Sequence, residues 1–153
     1  MDRVAVCLIL ITLGCSRATE VLDNSRRGQL SFDIYPNPIM ARRVEGNLHE
    51  FPFDISVREV GGVDVEIVGL QVDVYFLSGV RIFSQPYGPE ELSRRNLPTK
   101  VPAGANLQYT FAPRRAVPSE TLIRGVSAEI IIEGIDAQGR TTEARTRVTV
   151  RSN

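Results

Sequence analysis

The feature that most constrains the fold of this chain is an alternation of apolar and polar residues with a period of two. In the first such segment, Leu30, Phe32 and Ile34 alternate with more polar residues until a proline ends the pattern. A period of two places every second side chain on the same face of a β-strand, so each segment predicts a half-buried strand. Further segments of this kind cover residues 51–57, 63–67, 70–76, 80–83, 107–111, 122–135 and 144–151. The sequence therefore predicts an all-β domain.

Glycine-containing turns separate the predicted strands, at Gly61-Gly62, Ser78-Gly79 and Asp136–Gly139. A single helical turn is expected at Pro89–Leu92, because proline suits the first helical position and two acids follow it. Seven or eight short strands with almost no helical period predict a two-sheet antiparallel sandwich over residues 29–151. In the last strand, an outward row of charged residues is typical of a sheet edge.

The segment 50–76 and the terminal hairpin around Asp136 resemble the bacterial immunoglobulin-like or fibronectin-type-III-like domains of exported proteins. The resemblance covers residues 29–151 and implies an immunoglobulin-like sandwich. The chain contains no Trp, so the Cys-Trp-Cys pattern that pins many immunoglobulin domains is missing. Such a resemblance concerns the fold and does not carry a function with it.

The N-terminus has the pattern of an export signal, with Arg3 before an apolar run from Val4 to Leu13. This run of ten residues has the length of a signal-peptide core and is far shorter than the ~20 residues of a membrane-spanning helix. It ends in Gly14-Cys15. The sequence therefore predicts a cleaved signal peptide over residues 1–14.

The end of this run, Thr12-Leu13-Gly14-Cys15, resembles the bacterial lipobox, in which a small residue precedes a cysteine that is acylated and becomes the mature N-terminus. The two positions before Gly14 depart from the usual lipobox residues. The resemblance implies a lipid anchor on Cys15 and a flexible tether over residues 15–28. Ser16 after the cysteine implies sorting to the outer membrane, which would place the domain in the periplasm or at the cell surface.

The alternative is cleavage by ordinary signal peptidase after Ala18, which would leave a soluble secreted protein. The other cysteine, Cys7, lies inside the predicted signal peptide. If the mature chain begins at Cys15, that cysteine has no partner for an intramolecular disulfide, and acylation explains the lone thiol.

The amino-acid composition limits the classes of partner that the domain can bind. Acidic and basic residues are equal in number, at 18 each, which argues against a general binder of nucleic acid. Neither a cofactor motif nor the signature of a small-molecule substrate site is evident. We expect a membrane contact through Cys15, with an envelope protein or an anionic glycan as a further partner.

No catalytic or metal-binding constellation is evident in the sequence. His49 is the one histidine, no Gly-X-Ser-X-Gly motif accompanies it, and we interpret it as an ordinary exposed residue. Zinc would need more soft ligands than one His and one Cys. Acids from several loops could meet at one end of a sandwich and bind calcium, but no Asp-X-Asp-X-Asp run occurs and we interpret them as solvated. These acids are Asp64, Glu90, Glu91 and Asp136. The sequence therefore predicts no metal, no cofactor and no enzyme.

Four Arg-Arg doublets fall outside the predicted strands. In an immunoglobulin-like topology, two of them would lie together at the end of the sandwich opposite the tether. These are Arg42, Arg43, Arg114 and Arg115. Guanidinium groups suit bidentate contact with phosphates and carboxylates, so this cluster predicts contact with an anionic glycan, a lipid headgroup or an acidic protein surface. The alternative is that they solvate the surface and pair with Glu45, Glu50 and Glu120.

Three function classes follow from these observations. The favoured one is a non-enzymatic, membrane-anchored envelope lipoprotein whose sandwich is an interaction or structural module. The second is a soluble secreted binding protein, such as an inhibitor or an adhesin accessory. The third is an enzyme with an unrecognised site, which a pocket with convergent polar groups would favour and a sandwich filled to its centre would exclude.

Overall fold

The structure is a computed structural model that describes residues 26–152, which form eleven β-strands, one short α-helix and one 3-10 turn at Glu120–Leu122. The elements are β1 (Leu30–Tyr35), β2 (Ile39–Glu45), β3 (Leu48–Glu50), β4 (Phe53–Glu59), β5 (Val65–Tyr75), β6 (Arg81–Tyr87), α1 (Pro89–Arg94), β7 (Lys100–Val101), β8 (Asn106–Phe111), β9 (Arg114–Ala116), β10 (Ser127–Asp136) and β11 (Thr141–Ser152). The all-β prediction is confirmed. The predicted helical turn is α1, which begins at the proline as expected.

The strands form two sheets that pack as a sandwich. The smaller sheet has the order β1-β4-β8, and the larger has the order β6-β5-β10-β11-β2-β3-β9, with β7 added on β5. Within the described residues, the pairing of β11 with β2 is parallel, with Val150 opposite Ile39. The expectation of a wholly antiparallel arrangement, with the last strand at an edge, is therefore wrong. The end of β11 lies inside the sheet because β2 covers it.

The predicted alternation matches the burial of the strands. Leu30, Phe32 and Ile34 are buried in β1, and the residues between them are exposed. In β11 the apolar side chains face inward and the charged ones outward, as the sequence predicted. Ile130 is fully buried in the centre of β10. The hydrophobic core therefore lies between the sheets where the sequence placed it.

A β-bulge explains why the alternation changes phase within β5. Ile67 and Leu70 are three residues apart, yet both are buried, although an unbroken strand would turn them to opposite faces. The register shifts opposite Glu133 and Gly134 of β10, which inserts one extra residue in β5. Residues 63–76, which read as two apolar segments, thus contribute one long strand.

Four strands were not predicted: β2, β3, β7 and β9. β3 and β9 have three residues each and consist mainly of charged or polar residues, so no period of two can emerge. Their strand conformation comes from pairing with neighbours, β3 between β2 and β9. The end of the loop at 113–119 and the start of β10 also differ from expectation, since β10 begins at Ser127 rather than residue 122.

Two buried carboxylates organise the end of the sandwich at which residue 26 lies. Glu59 accepts hydrogen bonds from the backbone N–H groups of four residues, at 2.7–3.1 Å. Asp136 accepts from the N–H of Gly28 at 3.1 Å and from the backbone and side chain of Arg140 at 2.9 Å. The chain therefore joins the sandwich at Gly28, beside the C-terminal end of β10.

Candidate functional site

An apolar cavity of about 390 Å³ lies between the sheets at the end opposite Gly28. Phe53 and Phe111 line it from the smaller sheet, and their rings stack with centroids 5.4 Å apart. Val72 and Val74 of β5 line it from the larger sheet and stay half-buried. Because the alternation of segment 70–76 predicts that these two valines face the core, the cavity departs from the expectation of a sandwich packed to its centre.

The mouth of the cavity has an apolar rim. Ile82 and Leu122 line the cavity and keep 44% and 42% of their surface exposed. Neighbouring exposed apolar side chains of this kind mark surfaces that meet an apolar partner.

Two polar side chains line the cavity at its mouth, Gln85 of β6 and Arg115 of β9. The Arg115 guanidinium donates a hydrogen bond from Nη2 to Oε1 of Gln85 at 3.4 Å. Its Cζ lies 4.9 Å from the ring centroid of Phe83, another lining residue. Arg115 also donates from Nη1 to the backbone oxygen of Arg114 at 2.8 Å. These contacts hold a cation over the opening of an apolar cavity.

The structure places the four arginines of the predicted anion-contact cluster on β2 and β9, the two strands that flank β3, rather than in loops. In the register, Arg42 of β2 and Arg114 of β9 both lie opposite Glu50 of β3. Glu50 binds both of them, at 3.4 Å to Arg42 and 3.0 Å to Arg114. One carboxylate therefore offsets part of the charge of two arginines in the cluster.

Arg43 is also paired, with a distance of 2.7 Å from Nη2 to Oε1 of Glu120. Arg115 differs from the other three, since no carboxylate among residues 26–152 lies within salt-bridge distance of it. Arg115 is also the member of the cluster that lines the cavity. The structure thus separates one arginine with an uncompensated charge from three that are paired.

His49 is buried, with 2% of its surface exposed, so the expectation of an exposed histidine is wrong. The reason is that β3 lies between two strands, with Arg43 and Arg115 on either side of His49 in the register. Its Nδ1 lies 3.0 Å from the backbone oxygen of Asn47. Its Nε2 has no hydrogen-bond partner in the described chain and lies 3.8 Å from Oε1 of Glu120.

The acids that could have formed a calcium site make other contacts. Glu91 pairs with Arg94 and Arg95 on α1. Asp64 accepts a hydrogen bond from the Ala103 N–H at 2.8 Å. Across residues 26–152, no three His, Cys, Asp or Glu side chains are placed to share a metal ion.

The predicted attachment to the membrane depends on a residue that the structure does not describe. Cys15, the predicted lipidation site, lies outside the described residues. In the described part of the chain, no helix has the length and apolar character to cross a membrane.

The sequence analysis missed Gln85 as a residue of the site. Gln85 lies two residues from both Phe83 and Tyr87, and this spacing could have revealed a polar group on the inward face of the strand.

Comparison with known proteins supports the fold. No protein-family model and no curated protein matches the chain. The putative ApaA protein from Bordetella pertussis has a similar structure, with a TM-score of 0.53, 8% identity, and coverage of 82% of this chain and 96% of that one. A Northeast Structural Genomics Consortium target gives 0.52 at 12% identity, covering 84% and 89%. The C-terminal domain of wzt gives 0.50 at 14% identity, covering 84% and 75%. Together with the sheets, these structures define the chain as a β-sandwich domain.

Proposed function

We propose that this protein is a non-catalytic binding module of the bacterial cell envelope, built on an immunoglobulin-like sandwich and attached to the membrane through a lipid on Cys15. The observation that carries the proposal is the apolar cavity of about 390 Å³ between the sheets. Its volume lies within the ~300–1,000 Å³ typical of sites that bind small ligands. The proposal departs from the expectation of no small-molecule ligand, because a cavity cannot be seen in the alternation of a sequence.

The lining of the cavity supports binding over catalysis. Among the described residues, it includes no Ser, Thr, Cys, His, Asp, Glu or Lys side chain. Apart from Tyr87, its polar groups are the amide of Gln85 and the guanidinium of Arg115. Neither group readily serves as a nucleophile or a general base, since the amide does not ionise and the guanidinium stays protonated.

Binding is tested with the neutral fluorescent probe N-phenyl-1-naphthylamine and the full-length chain carrying Cys15→Ser, which has no lipid of its own. We expect saturable fluorescence that Val74→Trp strongly weakens, because the indole would occupy part of the space in which the probe binds. Val60→Trp, at a position that is 51% exposed and beside the Gly61-Gly62 turn, is the matched control and retains the signal. No binding by the parent chain, or equal binding by a folded Val74→Trp chain, would overturn the proposed cavity function.

The anchor is tested separately, by the intact mass of the protein recovered from the membrane fraction of its host. We expect a chain that begins at an acylated Cys15. Cys15→Ser should move the protein out of the membrane fraction, and Cys7→Ser should leave its location unchanged. An unmodified chain that begins after Ala18 in the soluble fraction would support the alternative, a secreted binding protein.

A further inference from the structure

We infer that the cavity takes the acyl chain of a single-chain anionic amphiphile, with a fatty acid as the simplest member, and that Arg115 contacts its anionic head. This inference rests on the proposed function, because it treats the cavity as a binding site. It goes further by naming the class of ligand and the residue that selects a negatively charged head group.

The lining and volume of the cavity favour a hydrocarbon chain. Aromatic and aliphatic side chains from both sheets surround it, including Phe53, Phe111, Val74 and Val150. A sugar would leave most of its hydroxyl groups without partners in such a lining, which is costly. The volume of about 390 Å³ is near the lower end of the usual range for ligand sites, which suits one chain better than the two of a phospholipid.

The charge at the mouth favours an anionic head. Arg42, Arg43 and Arg114 are paired with Glu50 or Glu120, whereas Arg115 has no carboxylate partner within residues 26–152. Its guanidinium is held by neutral groups, the Gln85 amide and the Phe83 ring. An arginine in this position can bind a carboxylate by donating two parallel hydrogen bonds to it. A cationic head would instead be repelled.

The rim accounts for how an amphiphile could enter. Ile82 and Leu122 give the cavity exposed apolar side chains, with exposures of 44% and 42%. These residues would meet the hydrocarbon of a membrane or the chain of a ligand on its way in. The apolar rim, the apolar interior and the uncompensated guanidinium of Arg115 together match the two parts of a fatty acid.

The test compares three ligands of equal chain length: dodecanoate, dodecan-1-ol and dodecyltrimethylammonium. Each displaces N-phenyl-1-naphthylamine from the full-length Cys15→Ser chain, below the concentrations at which the ligands form micelles. We expect dodecanoate to displace the probe at about threefold to tenfold lower concentration than dodecan-1-ol, a range set by an ion pair at a partly exposed site. The ammonium ligand should be the weakest.

Variants assign the preference to one residue. Arg115→Gln should raise the concentration of dodecanoate that displaces the probe to that of dodecan-1-ol, and the displacing concentration of dodecan-1-ol should stay unchanged. Arg115→Lys should keep the preference for the anion. Arg58→Gln is the control, since Arg58 is exposed on the smaller sheet and bonds Asn106. Because Arg115 is exposed, its substitution should leave the fold intact, which a thermal melt checks.

The outcomes separate the two claims. If the probe does not bind the parent chain, the proposed cavity function fails and this inference with it. If the probe binds and is displaced, but dodecanoate and dodecan-1-ol act equally, the cavity function stands and the inference is overturned. A preference for dodecanoate that persists in Arg115→Gln would also overturn the role of Arg115.

Discussion

Arg115 and Gln85 join the two edge strands of the larger sheet, since Nη2 of Arg115 donates to Oε1 of Gln85 at 3.4 Å. Arg115 lies on β9 and Gln85 on β6, which stand at opposite ends of the strand order. The sheet therefore curls until its edges meet across the mouth of the cavity. The two edge strands do not pair with each other, so this side-chain contact joins them. It also positions the guanidinium of Arg115 at the proposed site.

Gln85→Glu should weaken the binding of anionic amphiphiles. The new carboxylate has the shape of the amide and would pair with Arg115, which offsets the charge that attracts a fatty acid. We expect the affinity for dodecanoate to fall by about threefold or more, and that for dodecan-1-ol to stay within twofold, given the modest strength of exposed ion pairs. The displacement assay measures both. An unchanged affinity for dodecanoate would argue against Arg115 as the contact.

Ile130→Asp should unfold the domain, whereas Arg147→Asp should be tolerated. Ile130 is fully buried in β10, where an unpaired carboxylate costs several kcal/mol of a typical total of ~5–15 kcal/mol. Arg147 is exposed, contacts the Tyr75 ring and lies 3.8 Å from Glu129, so its loss should cost about 1 kcal/mol. Urea unfolding followed by circular dichroism measures the two effects. Equal stability of the two variants would contradict the assignment of inward and outward faces.

Gly61→Ser should destabilise the domain because the backbone of the N-terminal segment passes against Gly61. A Cβ atom at this position would lie 1.8 Å from the backbone oxygen of Arg27, so one of the two segments must move. We expect a loss of about 2 kcal/mol or more in the free energy of unfolding, as for other steric conflicts in packed regions. Gly88→Ser is the matched control, since that position is open and caps α1. It should be neutral or slightly stabilising, as serine is a good N-cap residue.

Acid should destabilise the domain through Glu59 and Asp136. Burial raises the pKa of Glu59, but the N–H groups of Gly104, Gln29, Gly62 and Gly61 together outweigh burial and lower it. Burial likewise raises the pKa of Asp136, but hydrogen bonds from Arg140, Gly28 and Gln138 lower it to about 2. Both carboxylates thus bind protons less readily in the folded than in the unfolded chain, in which such groups titrate near pH ~4.

The sign of the pH effect follows from these shifts. A carboxyl group whose pKa is lowered by folding adds stability above the pKa of the unfolded chain and loses it as the pH falls through the folded value. The free energy of unfolding should therefore decrease from about pH 4 towards pH 2. Glu59→Gln should lower stability at pH 7 by about 1–3 kcal/mol, because an amide cannot satisfy all of the N–H donors.

Urea unfolding at several pH values measures this dependence. Glu59→Gln and Asp136→Asn should each make the curve flatter between pH 4 and pH 2, and Glu90→Gln, on the exposed face of α1, should follow the parent chain. A parent chain whose stability does not change in this interval would contradict the structural role of the two carboxylates.

Much of the fold could be predicted because the long strands carry their own signal. The buried residues of β1, β4, β8 and β11 followed from a period of two alone. β3 and β9 could not be predicted, since a segment of three residues, two of them charged or polar, acquires strand conformation only from its neighbours. The parallel pairing of β11 with β2 was missed because β2 itself was not predicted from the sequence.

The candidate site was less accessible to prediction than the fold. Sequence reasoning selected Arg115 as one of four arginines, but it had no means to know that the other three are paired with Glu50 and Glu120. It also placed Val72 and Val74 in a filled core, because an inward apolar residue looks the same whether it meets another side chain or a cavity. His49 was misjudged because its burial depends on both neighbouring strands.

The most direct test of the account is a crystal structure of the full-length Cys15→Ser chain grown with dodecanoate. We predict continuous density for the hydrocarbon chain between Phe53, Phe111 and Val74, with the carboxylate ~2.7–3.2 Å from the Arg115 guanidinium. A cavity that is empty or closed by side chains, with dodecanoate elsewhere or absent, would contradict the claim that this sandwich binds its ligand between the sheets.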